Sequence, residues 1–402
     1  MKLKNFPRTE NLGVVCSLVF FLMFAFSMTS CQKESVPPVA PTEQTTTADQ
    51  NALSTSSTST STSTTGSGTT TGSGATTGSG TTTGSGTAAA SSPATAASSN
   101  STLAAGTNIN NVNYKKSDPI SYNGVNNITI SGVSITAGSV PAISLTNCNN
   151  VHITLSRFVN GTNVNAVGVY LYKCSNVTID YCYFNQVASG VYASTSTGVY
   201  VTGNQMLNMM GPMPRGQFVQ LNACYGAGNK ITGNKFENIM GSSNPEDAIN
   251  IFQSNGVAES PITISNNWIR GGGPSKSGGG IALGDGGGSY QVASDNILVN
   301  PGQYGVAVAA GTVMSILNNK IYAAQASFTN VGTFAWNQYP STSGCSIVTI
   351  SGNQVNFTAA AGYQNSGWDG GNCGVISGWA SNTWASNAIT AGILPSTIIT
   401  MK

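Results

Sequence analysis

Charged side chains are scarce in this 402-residue chain. Asp, Glu, Lys and Arg make up 7% of the sequence, and the formal net charge is +2 at pH 7. A nucleic-acid partner would need a basic patch or stripe, which this balance does not supply. The surface must therefore be polar through Asn, Ser, Thr and Gly.

Residues that bind metals of the zinc type are equally few. His152 is the only histidine, and the eight cysteines include no Cys-x-x-Cys pair. Zinc sites combine several such residues at short spacings, so the sequence predicts none of this kind. We expect His152 to be a solvent-facing strand residue.

Signals for a nucleotide site are missing as well. Three glycine runs occur at 271–273, 278–280 and 286–288, but no Gly-Lys-Ser/Thr sequence and no helix follows them. They therefore do not predict a phosphate-binding loop. Such runs are typical of tight corners or of backbone that a ligand approaches closely. Asp285 lies between two of them, which favours a ligand-binding role.

Residues 1–30 have the three parts of a secretory signal. Lys2, Lys4 and Arg8 precede a 17-residue apolar run at 12–28, and small residues lead to Cys31. This order resembles a bacterial lipoprotein signal. A retained membrane span is the alternative, since 17 apolar residues are at the lower limit for crossing a bilayer.

Lipidation of Cys31 would anchor the protein to a membrane. The Gln-Lys-Glu triplet at 32–34 partly resembles the export signal of surface lipoproteins in some bacteria. We therefore expect an outer-membrane lipoprotein exposed at the cell surface. Residues 31–107 hold the lipidated cysteine and a Thr/Ser/Gly-rich linker, whose composition predicts disorder.

A short phrase recurs through the rest of the chain. Alternating apolar and polar residues end in Gly-Asn or a similar pair, as in Val-Tyr-Val-Thr-Gly-Asn at 199–204 and Val-Thr-Ile-Ser-Gly-Asn at 348–353. The repeat position held by this asparagine recurs every 22 to 34 residues. Its occupants are Val133, Ser156, Cys182, Asn204, Asn234, Asn267, Asn296, Asn319 and Asn353. A second strand-like run accompanies most copies. This pattern predicts a solenoid of stacked parallel strands.

These repeats resemble those of secreted right-handed parallel β-helix proteins, which include pectate-lyase-like folds. The resemblance covers residues 108–356 and implies an all-β, single-stranded right-handed parallel β-helix of about nine turns. We expect residues 108–125 to close one end of the solenoid and residues 357–402 to form a C-terminal cap at the other. Activity does not follow from the resemblance, because such solenoids carry many functions.

Six cysteines follow the linker. Cys148, Cys174 and Cys224 precede repeat strands at equivalent offsets, so they should stack one strand spacing apart. They are predicted to form a ladder of buried thiols, with a Cys148–Cys174 disulfide as the alternative. A disulfide between Cys345 and Cys373 would join the last repeat to the C-terminal cap.

The residue after each repeat asparagine should point outward, because side chains alternate along a strand. Tyr183, Lys235 and Trp268 share this outer column. Aromatic rings beside long polar side chains are typical of a glycan-binding surface, so these three are predicted to bind substrate. In the alternative, Trp268 packs under the long loop of its own turn.

Ionisable residues concentrate in the long turns between the repeats at Asn204 and Asn296. The predicted catalytic residues are Arg215, Glu246, Asp247, Arg270 and Asp285, and Lys276 is a further substrate-binding candidate. Counting from the strands places Arg215 beside Glu246, and Glu237 beside Arg270. In the alternative, these are ordinary ion pairs that hold the loops.

Two classes of function fit these residues. The first is a surface protein that binds a polysaccharide, such as an acidic glycan, and cleaves it by lyase-like β-elimination. Arg215 or Lys276 would be the base, and Glu246, Asp247 and Asp285 would hold a calcium ion. The motifs of polygalacturonase-type hydrolases and the Asp-Pro-His motif of alginate-epimerase-like sites are absent. The second class is a non-catalytic adhesin or structural module.

Overall fold

The computed structural model describes residue 110 and the ranges 112–161 and 166–401. The predicted signal at 1–30, the lipidation site Cys31 and the linker up to residue 107 lie outside the described residues. Within the described ranges, no helix is long and apolar enough to cross a membrane.

Almost all regular structure in these ranges consists of short strands. They are β1 (Lys115–Ser117), β2 (Ile120–Asn123), β3 (Asn126–Ser131), β4 (Val133–Ala137), β5 (Ile143–Thr146), β6 (Asn149–Thr154), β7 (Arg157–Asn160), β8 (Val169–Tyr172), β9 (Ser175–Asp180), β10 (Tyr183–Asn185), β11 (Val191–Ser194), β12 (Thr197–Thr202), β13 (Gln205–Leu207), β14 (Val219–Asn222), β15 (Lys230–Thr232), β16 (Lys235–Glu237), β17 (Ile249–Asn255), β18 (Ile262–Ser265), β19 (Trp268–Arg270), β20 (Ile281–Ser294), β21 (Ile297–Val299), β22 (Tyr304–Val308), β23 (Gly311–Leu317), β24 (Lys320–Ala323), β25 (Val331–Ala335), β26 (Cys345–Ser351), β27 (Gln354–Phe357), β28 (Gly367–Asp369) and β29 (Thr383–Trp384). Two short 3-10 helices, Trp379–Ser381 and Ala391–Ile393, lie near the C-terminus.

The strands stack into three faces, and strands of successive turns pair in parallel. Face 1 has the order β1-β4-β7-β10-β13-β16-β19-β21-β24-β27-β29. Face 2 contains β2, β5, β8, β11, β14, β17, the first part of β20, β22, β25 and β28. Face 3 contains β3, β6, β9, β12, β15, β18, the second part of β20, β23 and β26. The chain is therefore an all-β parallel β-helix, which confirms the fold predicted from the repeats.

The core fills the space between the three faces. Every second side chain of a strand points inward, and large apolar residues of adjacent turns stack there. Phe158 and Phe184 on face 1 are fully buried, with ring centroids 4.9 Å apart. Burying such side chains stabilises the fold by about 1.5 to 3 kcal/mol each.

The repeat asparagines form a buried ladder at the corner between faces 3 and 1. In Asn234, the side-chain oxygen accepts from the backbone and side-chain nitrogens of Asn204, both at 3.0 Å, and the amide donates to Val201 O at 3.0 Å. The same pattern continues through Asn267, Asn296, Asn319, Asn353 and Asn382. Cys182 occupies the slot before Asn204, and its backbone N–H donates to Asn204 Oδ1.

The cysteines follow two of the predicted arrangements. Cys345 and Cys373 form a disulfide with a Cα–Cα distance of 4.5 Å. Cys148, Cys174 and Cys224 are free and buried, as is Cys182, so the alternative Cys148–Cys174 disulfide does not form. Burial raises the pKa of Cys174 to about 11 and that of Cys224 to about 12.

The two predicted end segments contribute to the solenoid itself, and Trp379 and Trp384 of the C-terminal segment pack against its core. Residues 115–123 belong to β1 and β2 and build the first turn, so the predicted closing segment is itself part of the coil. After β29 the chain turns back and runs along the outside of face 1. Ile398 N donates to Glu237 Oε2 at 2.9 Å, and Thr400 N donates to Gln205 Oε1 at 2.6 Å.

His152 lies on the outer side of face 3, as predicted, and contacts a carboxylate on the next turn. Its Nε2 lies 2.9 Å from Asp180 Oδ1, and its side chain is 36% exposed. The hydrogen bond to Asp180 is the main reason that the pKa of His152 is raised, although partial burial opposes it.

We expect this pair to make stability depend on pH. The folded state favours protonated His152, so its contribution to the free energy of unfolding is present below the unfolded-state pKa of about 6.5 and is lost as pH rises through the higher folded pKa. His152→Gln should therefore lower the melting temperature at about pH 5 and have less effect at about pH 8. An equal shift at both values would contradict the pairing.

We expect Asn267→Ala to weaken the whole solenoid. Asn267 is fully buried, and its loss removes the acceptor of the Asn234 backbone nitrogen and the side-chain donor to the Ile231 carbonyl. A loss of roughly 2 to 4 kcal/mol in the free energy of unfolding follows, because each unsatisfied buried group costs about 1 to 3 kcal/mol. Denaturant unfolding of the full chain would measure it. Exposed Asn387→Ala is the matched control and should change little.

Candidate functional site

The outward column of face 2 carries an ordered series of side chains. From one turn to the next they are Ser144, Tyr170, Tyr192, Gln220, Asn250, Ala282, Ala307, Phe334 and Trp368. Neighbours lie about 4.8 Å apart, the spacing of hydrogen-bonded strands. Aromatic residues stand at both ends, with amides and alanines between them. Loops rise beside this column, so that even outward-facing Asn250 is fully buried.

Two aspartates meet at the centre of this column. The side-chain nitrogen of Asn250 donates to Asp247 Oδ2 at 2.6 Å and to Asp285 Oδ2 at 2.7 Å. The two oxygens therefore lie within about 5.3 Å of each other, the sum of these distances. Gln220 Nε2 donates to Asn250 Oδ1 at 3.1 Å, which fixes the orientation of the amide. The amide thus holds carboxylates of two successive turns at a short separation.

Tyrosine hydroxyls hold the far sides of both carboxylates. Tyr304 donates to Asp247 Oδ1 at 2.6 Å, and Gly279 N donates to the same oxygen at 3.2 Å. Tyr339 donates to Asp285 Oδ1. Asp247 is 3% and Asp285 6% exposed. Both carboxylates are therefore oriented in advance by fixed donors, the arrangement that a preorganised polar site requires.

A β-bulge brings Asp285 to this position. Asn250 pairs with Ala282, but Phe252 pairs with Asp285, so β20 contains one extra residue. Gly284 supplies the bend with φ +64°, and a Cβ there would lie 1.9 Å from the Ala310 carbonyl oxygen. Only glycine fits this place, and the bulge redirects the next side chain. The glycine before Asp285 thus forms a tight corner and lets the backbone of Ala310 approach closely.

Glycine is also required beside Tyr304. A Cβ on Gly279 would lie 2.5 Å from the Tyr304 ring. The small residues Ala282 and Ala307 leave room for this ring on the outer face, where it packs edge-on against Phe334 with centroids 5.5 Å apart. The ring position in turn places the hydroxyl on Asp247.

Arg215 also contacts face 2, at a tyrosine two strands from Asn250. Its guanidinium carbon is 4.3 Å from the centre of the Tyr192 ring, a cation–π contact. Tyr192 stacks on Tyr170 with centroids 5.8 Å apart, and Asn222 Nδ2 donates to the Tyr192 hydroxyl at 2.6 Å. Burial is the main cause that raises the pKa of Tyr170 to about 12. This end of the column is an aromatic cluster with one positive charge, and its two rings are buried, with Tyr170 8% and Tyr192 4% exposed.

The opposite end of the column is aromatic as well. Trp368 lies 6.1 Å from Phe334 and 5.7 Å from Trp336, measured between ring centroids. Both tryptophans are only half-buried. Their exposed parts offer an apolar surface on the outer side of face 2, and Trp368 lies four strands along the column from Asn250.

Glu246 and Lys276 lie beside the pair without joining it. Ser275 and Ser277 donate to the two carboxylate oxygens of Glu246, each at 2.9 Å, and Lys276 is exposed on the same loop. Within the described ranges, no group of three or more His, Cys, Asp and Glu side chains could hold a metal ion. The predicted calcium site of Glu246, Asp247 and Asp285 is therefore not assembled.

The predicted substrate-binding residues of face 1 lie under the C-terminal segment. Trp268 packs against the cluster that contains Leu394 and Ile398, with the Lys235 amine 5.1 Å from its ring centre. Tyr183 is 4% exposed. Residues near the C-terminus pack over part of this column, which leaves Trp268 half-buried. Substrate binding by these three residues stays a prediction.

Arg270 also belongs to face 1 and not to the aspartate pair. It is paired in register with Glu237, as predicted. Glu237 Oε2 instead accepts from the backbone nitrogens of Ile398 and Ile399, at 2.9 and 3.2 Å. The predicted Glu237–Arg270 ion pair does not form.

Four residues of the site were not predicted from the sequence. Asn250 stands between two inward isoleucines in Ile-Asn-Ile, so strand alternation could have placed it on the outer face. Tyr192 could have been found in the same way. Tyr304 and Tyr339 reach the aspartates from later turns, and no local pattern connects them with Asp247 or Asp285.

Comparisons with known proteins give one family match and two structural neighbours. Residues 168–357 match the family described as periplasmic copper-binding protein (NosD). No curated protein matches the chain. The structures are the tailspike protein of E. coli bacteriophage HK620 and a mutant of it, each in complex with a pentasaccharide. Both are 12% identical, with TM-scores of 0.37 and 0.38, over 62% of this chain. The chain spans about half the length of those tailspike chains, 50% in each case.

The histidine and the free cysteines among the described residues do not form a copper site. Copper binds well to imidazole and thiolate ligands. The one histidine, His152, contacts Asp180, and the four free cysteines are buried in the core. These imidazole and thiol groups therefore do not supply a ligand set for the metal named by the family description.

Proposed function

We propose that this protein binds a polysaccharide along the outside of face 2 and cleaves it by hydrolysis at Asp247 and Asp285. The observation that carries the proposal is the pair of carboxylates held on one amide, in a column that ends in two half-buried tryptophans. Sugar rings stack on aromatic faces, and their hydroxyls bond to amides and carboxylates.

The carboxylate pair supports glycoside hydrolysis better than the predicted β-elimination. Hydrolases of this kind use two carboxyl groups, one as acid and the other as nucleophile or base. In a lyase, Arg215 would be the base, but its guanidinium lies over Tyr192. Glu246, the third ligand of the predicted calcium site, is bonded to serines.

The separation of the carboxylates indicates the stereochemical course. Groups about 5 to 5.5 Å apart are typical of retaining enzymes, whereas inverting enzymes need about 6.5 to 9.5 Å to admit a water molecule. The limit of about 5.3 Å that Asn250 sets for one oxygen of each carboxylate lies below the inverting range. One carboxyl would protonate the glycosidic oxygen as its bond to the anomeric carbon breaks, while the other carboxylate forms a bond to that carbon. The first group, now a carboxylate, would then take a proton from a water molecule that attacks the anomeric carbon, which breaks the bond to the enzyme and restores both groups.

A non-catalytic surface module remains the second candidate. Asp247 accepts hydrogen bonds from Asn250, Tyr304 and Gly279. A carboxylate with this many partners can have a purely structural role, in which it holds loops in place. In that case the same column would bind glycan without cleaving it.

The proposed location is the outer membrane, with the domain held at the cell surface by a lipid on Cys31. The match to a periplasmic family supports a place outside the cytoplasm. The signal-like residues 1–30 support the anchor. Fatty-acid labelling of cells that express the full chain tests this part, since Cys31→Ser should abolish incorporation.

Cleavage is tested on the full chain with a panel of neutral and acidic polysaccharides. Reducing ends and unsaturated uronide absorbance are read together. We expect reducing ends without absorbance, and Asp247→Asn and Asp285→Asn should each lower kcat at least a hundredfold, the usual size of an acid–base contribution. Glu259→Gln, which changes an exposed carboxylate, is the matched control and should leave kcat unchanged.

The other outcomes separate the remaining possibilities. Absorbance that rises with the reducing ends would show elimination and overturn the hydrolytic mechanism. Retained binding with no product would favour the non-catalytic module. If both aspartate variants keep full activity while folded, by circular dichroism, the site is elsewhere.

A further inference from the structure

A cavity lies beside the loops that follow β16, β19 and β21, where the chain leaves face 1. Its volume is about 360 Å³, and it is lined among others by Glu237, Asn238, Arg270, Asn300, Gln325 and Ser396. This volume is at the lower end of the range for ligand sites, about 300 to 1,000 Å³. It suits one sugar-sized molecule better than a polymer.

Asn238 presents a donor that no described residue accepts. The side chain is 6% exposed, and its Oδ1 accepts from Met209 N at 2.9 Å. That bond fixes the orientation of the amide, so the other atom must be the NH₂ group. Nδ2 is buried and has no hydrogen-bond partner among the described residues. A buried donor without an acceptor costs about 1 to 3 kcal/mol.

Arg270 presents a second such donor in the same lining. Its Nη1 is buried and likewise has no partner in the described ranges. The nearest carboxylate along the register, Glu237, bonds instead to the backbone nitrogens of Ile398 and Ile399. Nη1 is therefore an unsatisfied donor that lies just beneath the surface of the cavity lining.

The cavity walls are formed largely by closely packed backbone. A Cβ on Gly271 would lie 1.9 Å from the Asn238 carbonyl oxygen, and one on Gly272 would lie 2.1 Å from that of Pro301. Such contacts leave the loops little freedom to close the cavity. The two donors are thus held in place before any ligand arrives, which lowers the entropic cost of binding.

We propose that this cavity binds the carboxylate of a small acidic ligand of sugar size. Arg270 would supply the charge and a guanidinium donor, and Asn238 Nδ2 a neutral one. An anionic acceptor satisfies both groups at once, and charge-assisted hydrogen bonds are about twice as strong as neutral ones. The site is distinct from the aspartate pair of face 2 and does not depend on the function proposed there.

The test uses calorimetric titration of the full chain with glucuronate, and with glucose as the neutral analogue of the same ring. Glucuronate should bind at one site, and glucose at least tenfold more weakly. Arg270→Gln should weaken glucuronate binding at least tenfold. Asn238→Asp should do the same, because it keeps an acceptor for Met209 N but replaces the donor by a second acceptor.

Two controls make the result specific. Arg157→Gln changes another face 1 arginine with a buried unpartnered nitrogen, and should leave binding unchanged. Glu259→Gln should also leave glucuronate binding unchanged, and hydrolysis is assayed separately on the Arg270→Gln protein, so that failure here and failure of the proposed hydrolysis can be told apart. Melting curves confirm that each variant is folded.

Three results would overturn the proposal: no binding of glucuronate, equal binding of glucose, or glucuronate binding that survives both Arg270→Gln and Asn238→Asp in folded protein. Selective glucuronate binding that both variants weaken would support it.

Discussion

The buried asparagine ladder is the constraint on which the rest of the molecule depends. Each amide links its own turn to the next through two hydrogen bonds, so no turn can slip by a residue without breaking bonds on both sides. A one-residue slip would also turn every inward side chain outward. The ladder therefore fixes the register of all three faces, although the lengths of the loops between them vary.

Because the register is fixed, equivalent residues of successive turns lie in a column at a regular spacing. Residues of successive turns are held about 4.8 Å apart, so one amide on Asn250 can reach an aspartate of its own turn and one of the next. The bulge at Gly284 is one of two register shifts between β17 and β20, and it is what brings Asp285 to that amide. Long loops then surround the pair and shield it from water, which strengthens its hydrogen bonds.

Faces 1 and 2 show how the same strand pattern is used in two ways. On face 1, the outer column with Trp268 is partly covered by residues near the C-terminus, which bond to Glu237 and Gln205. On face 2, the column ends in tryptophans that stay half-exposed, and two carboxylates occupy its centre. The C-terminal residues on face 1 add contacts that stabilise the solenoid, whereas on face 2 the polar groups at the centre bond to one another.

The sequence by itself determined the parallel β-helix, because the repeat slot and the two-residue alternation are local patterns that each turn repeats. It also placed Asp247 and Asp285 in one region, since both lie in long turns beside adjacent strands, and it paired Cys345 with Cys373. Only the tertiary structure decided that Tyr304 and Tyr339 would reach those aspartates, that Arg215 would lie over Tyr192, and that Trp268 would be partly covered. These contacts join residues far apart in the chain, and such contacts depend on loop paths that no periodic pattern specifies. The return of the C-terminal segment along face 1 is of the same kind, because its partners Glu237 and Gln205 precede it by more than 150 residues.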